Sequence, residues 1–189
     1  MIPNNPAEIL LTLDQELDHE VPLVLYGRSA LCLGFDQPPA AFQSTQDVDA
    51  IISLSQLPSL TNDTQFWDAI ERTNQILSPK GLYITHLFAE DQVFLRPDWE
   101  RNIVPIHSIQ TRFLKLFRPH VIDLILTKMM RGNDELDMED IRFLANTDKV
   151  TITEIETAFV SVKIPQDIPE LKEAFQRAIP FVRNIISDL

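Results

Sequence analysis

The chain has 189 residues and a formal charge of −12, from 16 Lys and Arg against 28 Asp and Glu. That length supports one good core, or a core with a small appendage, and 44% apolar with 23% charged residues is ordinary for a soluble globular protein. The charge argues against a general nucleic-acid coat, because phosphate binding needs local cations, and no apolar run approaches the ~18–20 residues that span a bilayer.

At the N-terminus, Met1-Ile2-Pro3-Asn4-Asn5 lacks the basic-then-apolar signature of a signal peptide. Asn5-Pro6 followed by Ile9, Leu10, Leu13 and Leu17 predicts a capped amphipathic helix, with Asn5 at the N-cap and Pro6 at N1. Pro22 to Tyr26 is a short apolar strand that stops at Gly27. The single Cys32, between two leucines, has no partner for an internal disulfide and reads as a small buried apolar residue. An odd thiol fits a reducing compartment, so the expected location is cytoplasmic. Residues 36–46 form a loop, and Asp47 to Ile52 the second strand. Phe66, Trp67, Ile70, Ile76 and Leu77 mark a helix ending before Pro79-Lys80-Gly81. Leu82–Phe88 is a third strand, and 92–95 and 102–106 are short ones.

Past residue 107 the spacing turns helical: Phe113, Leu114 and Phe117, then Val121, Leu124, Ile125 and Lys128, then Ile141, Phe143 and Leu144. Thr151 and Glu154 form a capping box for another helix, and Leu171 to Ile186 suggests a last one, kinked or split at Pro180. The expected organisation is a mixed α/β core over 1–107 and a helical domain over 108–189. Charge is uneven along it. Residues 96–131 hold seven Lys and Arg against three acids, a segment able to hold a polyphosphate or an RNA end, or else a set of solvated helix faces.

The chemistry concentrates in "GRS" at 27–29 and "DVD" at 47–49. Side chains alternate along a strand, so Asp47 and Asp49 share a face roughly 7 Å apart. Two carboxylates so placed repel unless a cation relieves them, and Mg²⁺ is typically held by one or two carboxylates plus substrate phosphates. A glycine turn lets backbone approach phosphate oxygens, and Ser29 adds a hydroxyl. Together these are the parts for metal-assisted phosphoryl or nucleotidyl transfer.

"GRS…DVD" resembles the signature of the polymerase-beta-type nucleotidyltransferase superfamily, and "DLILTKMMRGNDELDMEDIRFL" (123–144) resembles the helical segment of AbiEii/MenT-like toxin nucleotidyltransferases and their uncharacterised relatives. The resemblance spans roughly residues 20–145. It implies an α/β (α+β) fold, a minimal nucleotidyltransferase mixed sheet flanked by helices, followed by a C-terminal helical domain, with NTP and Mg²⁺ (or Mn²⁺) in the cleft between them. It implies Gly27, Arg28 and Ser29 on the triphosphate, Asp47 and Asp49 on metal, Lys128 on phosphates, and Asp137 or Asp140 near the site. It implies NMP transfer to an RNA end or a protein hydroxyl, an antitoxin partner, and no membrane. Two positions depart from the pattern. Arg28 replaces the usual second glycine, and the third strand carries His86 where a third carboxylate is usual, an imidazole able to accept a proton.

Elsewhere Arg96 and Arg101 flank Trp99, a place to stack a base or hold an acceptor phosphate, unless Trp99 is a lid on the core. Asp134, Asp137 and Asp140 also suit the acid-preferring first turn of a helix, and Lys128 could simply snorkel from an apolar helix. A module that kept the fold but lost the chemistry, serving as a binding or regulatory partner, is the alternative function.

Overall fold

The computed structural model of the chain describes residues 4–189, so Met1–Pro3, part of the N-terminal stretch read above, lies outside the described residues. Helix α1 (Asn5–Glu16) begins one residue earlier than expected: Asn4 is the N-cap, its Oδ1 accepting the Ala7 N–H at 3.1 Å. Strand β1 (Val21–Tyr26) leads directly into helix α2 (Gly27–Leu33). A 3-10 turn (Ala40–Ser44) fills the proline-rich loop before β2 (Asp47–Ile52). A short helix α3 (Leu57–Thr61) precedes α4 (Thr64–Leu77) and β3 (Tyr83–Ala89). Of the two short strands expected next, only β4 (Val104–Pro105) forms; Leu95 makes an isolated bridge to Lys163.

The segment around Phe113, Leu114 and Phe117 corrects the helical expectation. It is strand β5 (Leu114–Arg118), running parallel to β1. Leu114 and Leu116 are buried while Lys115 is exposed, the period-two pattern of a strand rather than the 3.6 of a helix. Its start is tied down from far away in sequence: the Asp14 carboxylate accepts the N–H groups of Arg112, Phe113 and Leu114, each at 2.8 Å.

The result is a mixed five-stranded sheet in the order β3-β2-β1-β5-β4, with β1–β2 and β4–β5 antiparallel and the other pairs parallel. Helices α1 and α4 pack on it. Alternation sends Leu23, Leu25, Val48, Ala50 and Ile52 to one side, all buried; Val24, Tyr26, Asp47, Asp49 and Ile51 go to the other. At the β3 edge, Asn74 of α4 hydrogen-bonds both backbone groups of Ile84, accepting its N–H at 2.8 Å and donating to its carbonyl at 3.1 Å.

The remaining helices are α5 (Val121–Lys128), α6 (Glu135–Asp148), α7 (Ile152–Ser161) and α8 (Pro169–Ser187). Both halves of the Thr151–Glu154 capping box are present. Helix α8 is not split at Pro180. Proline removes the bond to the Gln176 carbonyl, but both residues are exposed, so water can serve that carbonyl. The chain divides into two compact units. One is the described part of Met1–Ala89 with Ile103–Arg118; the other is Glu90–Asn102 with Pro119–Leu189. Thus β5 completes the sheet unit, and 90–102 joins the helical one. No helix among the described residues is long and apolar enough to cross a membrane.

One pH-sensitive contact lies in the sheet unit. His19 bridges Asp18 and Asp63, each at 2.7 Å, and Asp63 caps α4 through the Phe66 N–H. The hydrogen bonds that His19 makes to Asp18 and then to Asp63 raise its pKa. Burial opposes ionisation of Asp63, but the Phe66 N–H and His19 outweigh it and lower its pKa. The folded state therefore holds the His19 proton more tightly than the unfolded chain. The contribution is complete below about pH 6.5 and fades as pH rises through the raised His19 value. At the acid end it is lost as pH falls through the lowered Asp63 value. Exposure keeps it under ~1 kcal/mol. In melting curves between pH 6 and 8.5, His19→Gln should flatten the fall of the midpoint; a mutant curve parallel to wild type would refute this.

Candidate functional site

Gly27 is where β1 turns into α2, at φ +64°, a conformation glycine adopts without steric cost. A Cβ added there would lie 3.8 Å from Asp49 Oδ2, so the turn passes directly beside the β2 carboxylate. Ser29 is buried and its hydroxyl donates to the Tyr26 carbonyl at 2.9 Å. Arg28 sets its guanidinium 5.6 Å from the Phe42 ring centroid.

Asp47 and Asp49 project from the same side of β2. Thr45 Oγ1 donates to Asp47 Oδ1 at 3.0 Å, and Thr85 Oγ1 to Asp49 Oδ1 at 2.9 Å. His86 Nδ1 stands 3.4 Å from that same Asp49 oxygen. Both β3 side chains reach it because the register shifts at Val48/Asp49: Asp47 pairs with Tyr83, whereas Asp49 pairs with His86. The His86 ring stacks on Phe88 at 5.1 Å, and Phe88 meets Tyr26 edge-on at 5.8 Å.

Burial raises the Asp49 carboxyl pKa; the Thr85 hydrogen bond opposes this, and the neighbouring Asp47 charge adds to it. Tyr26 is also held above the ordinary phenol range, by burial first and then by the Asp49 and Asp47 charges. Negative charge at this spot is therefore under-compensated by the protein. No group of three or more His, Cys, Asp or Glu among the described residues is arranged to hold a metal ion. Two carboxylates are what the chain offers, and this fits a hard cation that completes its shell with phosphate and water oxygens.

The other candidates belong to the helical unit. Lys128 Nζ donates to Asp137 Oδ1 at 3.1 Å and Asp140 Oδ2 at 2.7 Å, and all three residues are buried. Arg131 Nε reaches Asp137 Oδ2 at 2.6 Å. Burial alone would raise the Asp137 carboxyl, but Arg131 and Lys128 hold it below the usual carboxylate range. Asp134 caps α6, accepting the Asp137 N–H. Arg96 makes a forked contact to Asp123, which is 0% exposed, with Nη2 to Oδ2 at 2.7 Å. Trp99 is buried and donates its indole N–H to Glu90 at 2.9 Å, so it is a packing residue rather than a stacking surface. Arg101 lies exposed in the 3-10 turn Trp99–Asn102.

Sequence reasoning did not single out Tyr26, Thr45, Thr85 or Phe88. Phe88, two residues after His86 on an alternating strand, carried a readable signal; Thr85 depends on the register shift and carried none. Neither curated proteins nor solved structures yielded a match. Residues 7–175 match the family model described as "Nucleotidyltransferase of unknown function (DUF6036)". With that match covering most of its length, and the glycine turn set beside paired strand aspartates, the chain belongs to this nucleotidyltransferase family.

Proposed function

We propose that this protein transfers a nucleoside monophosphate from an NTP to the hydroxyl of an RNA end or a protein side chain. The observation that carries this is the Asp47–Asp49 pair, with the Asp49 pKa raised, beside the Gly27 turn. Asp47 and Asp49 would hold Mg²⁺ or Mn²⁺, which supplies neutralisation of charge on the triphosphate. The backbone at Gly27 admits the phosphates closely, with Arg28 and Ser29 at the start of α2. The acceptor oxygen bonds to the α-phosphorus as the bond to pyrophosphate breaks. His86 takes the hydroxyl proton at Nε2, since Nδ1 is turned to Asp49. Lys128 and Asp137 serve in this scheme by holding the helical unit, because that ammonium is already shared between two aspartates. The likeness of residues 123–144 to toxin nucleotidyltransferases extends the proposal to one half of a toxin–antitoxin pair, with arrest of growth on induction as its sign.

Thermal unfolding with each NTP, with and without Mg²⁺ or Mn²⁺, tests the core of this. Ligand at about 100 times its dissociation constant adds roughly 2.7 kcal/mol, or some 5–10 °C at ~2–4 °C per kcal/mol. No shift with any nucleotide would refute nucleotide use. A second reading, a binding module without turnover, draws on Thr85 and His86 standing where a third carboxylate is usual. It predicts the shift without pyrophosphate release in the presence of acceptors.

A further inference from the structure

The unit that carries Asp47 and Asp49 has six Lys and Arg against eleven Asp and Glu. All six cations are engaged inside that unit. Arg72 bonds Glu16, Lys80 bonds Glu8, and Lys115 pairs with Glu20 at 3.0 Å. Arg118 is buried, donating to the Gly34 carbonyl at 2.9 Å with its guanidinium 3.9 Å from the Phe35 ring centroid. Arg112 and Arg28 lie over Phe113 and Phe42. A nucleic-acid acceptor presents its hydroxyl on a chain of phosphates, and holding it requires cations along its path. This sheet offers such a chain a surplus of carboxylates.

The register shows what the aspartate-bearing face provides instead. Tyr26 lies opposite Asp49, and Val24 lies opposite both Ile51 and Phe117, with Pro22 opposite Lys115. Phe117 and Lys115 therefore point to the same side as Asp47 and Asp49. Both line a groove of about 550 Å³ between β5 and the 105–111 segment, together with Pro105, Ile106, Ile109 and Thr111. Its wall mixes these apolar side chains with the polar His107, Gln110 and Thr111, and its one lysine or arginine is the paired Lys115.

We propose that the acceptor is a polypeptide, neutral or basic, whose flanking side chains seat in this groove against Phe117 and Ile109 while a Ser, Thr or Tyr hydroxyl reaches Asp49 and His86. This rests on the nucleotidyl-transfer reading. The hydroxyl oxygen gains the α-phosphoryl group, pyrophosphate departs, and the product is a phosphodiester-linked nucleotide on the side chain.

The test gives the full chain each α-labelled NTP with Mg²⁺ or Mn²⁺ and two defined acceptors. One is a mixed peptide library, neutral to basic, containing Ser, Thr and Tyr; the other is total tRNA with a single-stranded RNA bearing a free 3′ hydroxyl. Label is expected in peptide and absent from RNA. Phe117→Ser is expected to raise the peptide KM at least tenfold. Ile109→Glu, in the loop and outside the sheet, should do the same should the first variant fold poorly. The NTP-dependent melting shift is read on every sample. Label in RNA, label in neither acceptor, or an unaltered peptide KM in a folded groove variant would each overturn the proposal. Absence of the melting shift in wild type would instead bring down nucleotidyl transfer itself.

Discussion

Asp49→Asn should abolish transfer and, in the same protein, raise the melting midpoint of the ligand-free form. The two effects share one cause. Asp49 sits where burial, together with the charge of Asp47, disfavours its ionised form. A carboxyl whose folded pKa is raised binds its proton more tightly folded than unfolded. Stability then falls as pH rises through that window, and at pH 7 the charge opposes folding. Asparagine removes the charge yet keeps an oxygen for the Thr85 hydroxyl. Relief of a functional site of this kind adds roughly 0.5–2 kcal/mol. Losing a cation ligand costs several kcal/mol of transition-state stabilisation, about a thousandfold or more in rate. Calorimetry of the apo mutant and pyrophosphate release check the two arms. A mutant that melts lower and still turns over would contradict both.

Lys128→Met should be among the most damaging single changes for folding. Lys128 is nearly enclosed, and its ammonium joins Asp137 on one side and Asp140 on the other. Removing the cation leaves two buried carboxylates with less compensation, a loss of about 3–5 kcal/mol. That corresponds to a midpoint lower by roughly 6–20 °C. Pairing it with Asp140→Leu should recover part of the loss, because an apolar replacement of a buried ion pair is far less costly than a half-removed one. Urea titration of the single and double mutants measures this. A single mutant with wild-type stability that had lost only its response to NTP would instead put Lys128 on the nucleotide.

Local chemistry was enough to place much of this architecture. Short, largely apolar runs set off by Gly27, by the 36–46 loop and by Pro79-Lys80-Gly81 marked β1, β2 and β3, and the Thr151–Glu154 box marked α7. Asp47 and Asp49 on one face followed from alternation alone. Strand β5 was misread because Leu114 and Phe117 have helical spacing while Leu114 and Leu116 alternate as in a strand, and five residues do not separate the two. What decides between them is pairing with β1 and an Asp14 anchor about a hundred residues away. The basic segment 96–131 also depends on contacts that the sequence does not display. Its charges look available in one dimension, whereas Arg96, Lys115, Arg118, Lys128 and Arg131 all find partners in three. The convergence of Thr85 and His86 on a single Asp49 oxygen needed a register shift that no spacing rule announces.

The Asn74 carboxamide presents to Ile84 the same donor and acceptor that a neighbouring peptide unit would. The sheet thus ends in a mimic of a sixth strand. An exposed outer strand is a template on which other copies can add and grow into fibrils, and a stopper near its start takes up part of that template. What this side chain protects is colloidal as well as conformational. An apolar replacement of similar size would leave both backbone groups of the buried Ile84 without this partner and would reopen that stretch of the edge to its neighbours. Position 74 thus answers to two pressures, one inside a single molecule and one that grows with the number of copies sharing a solution.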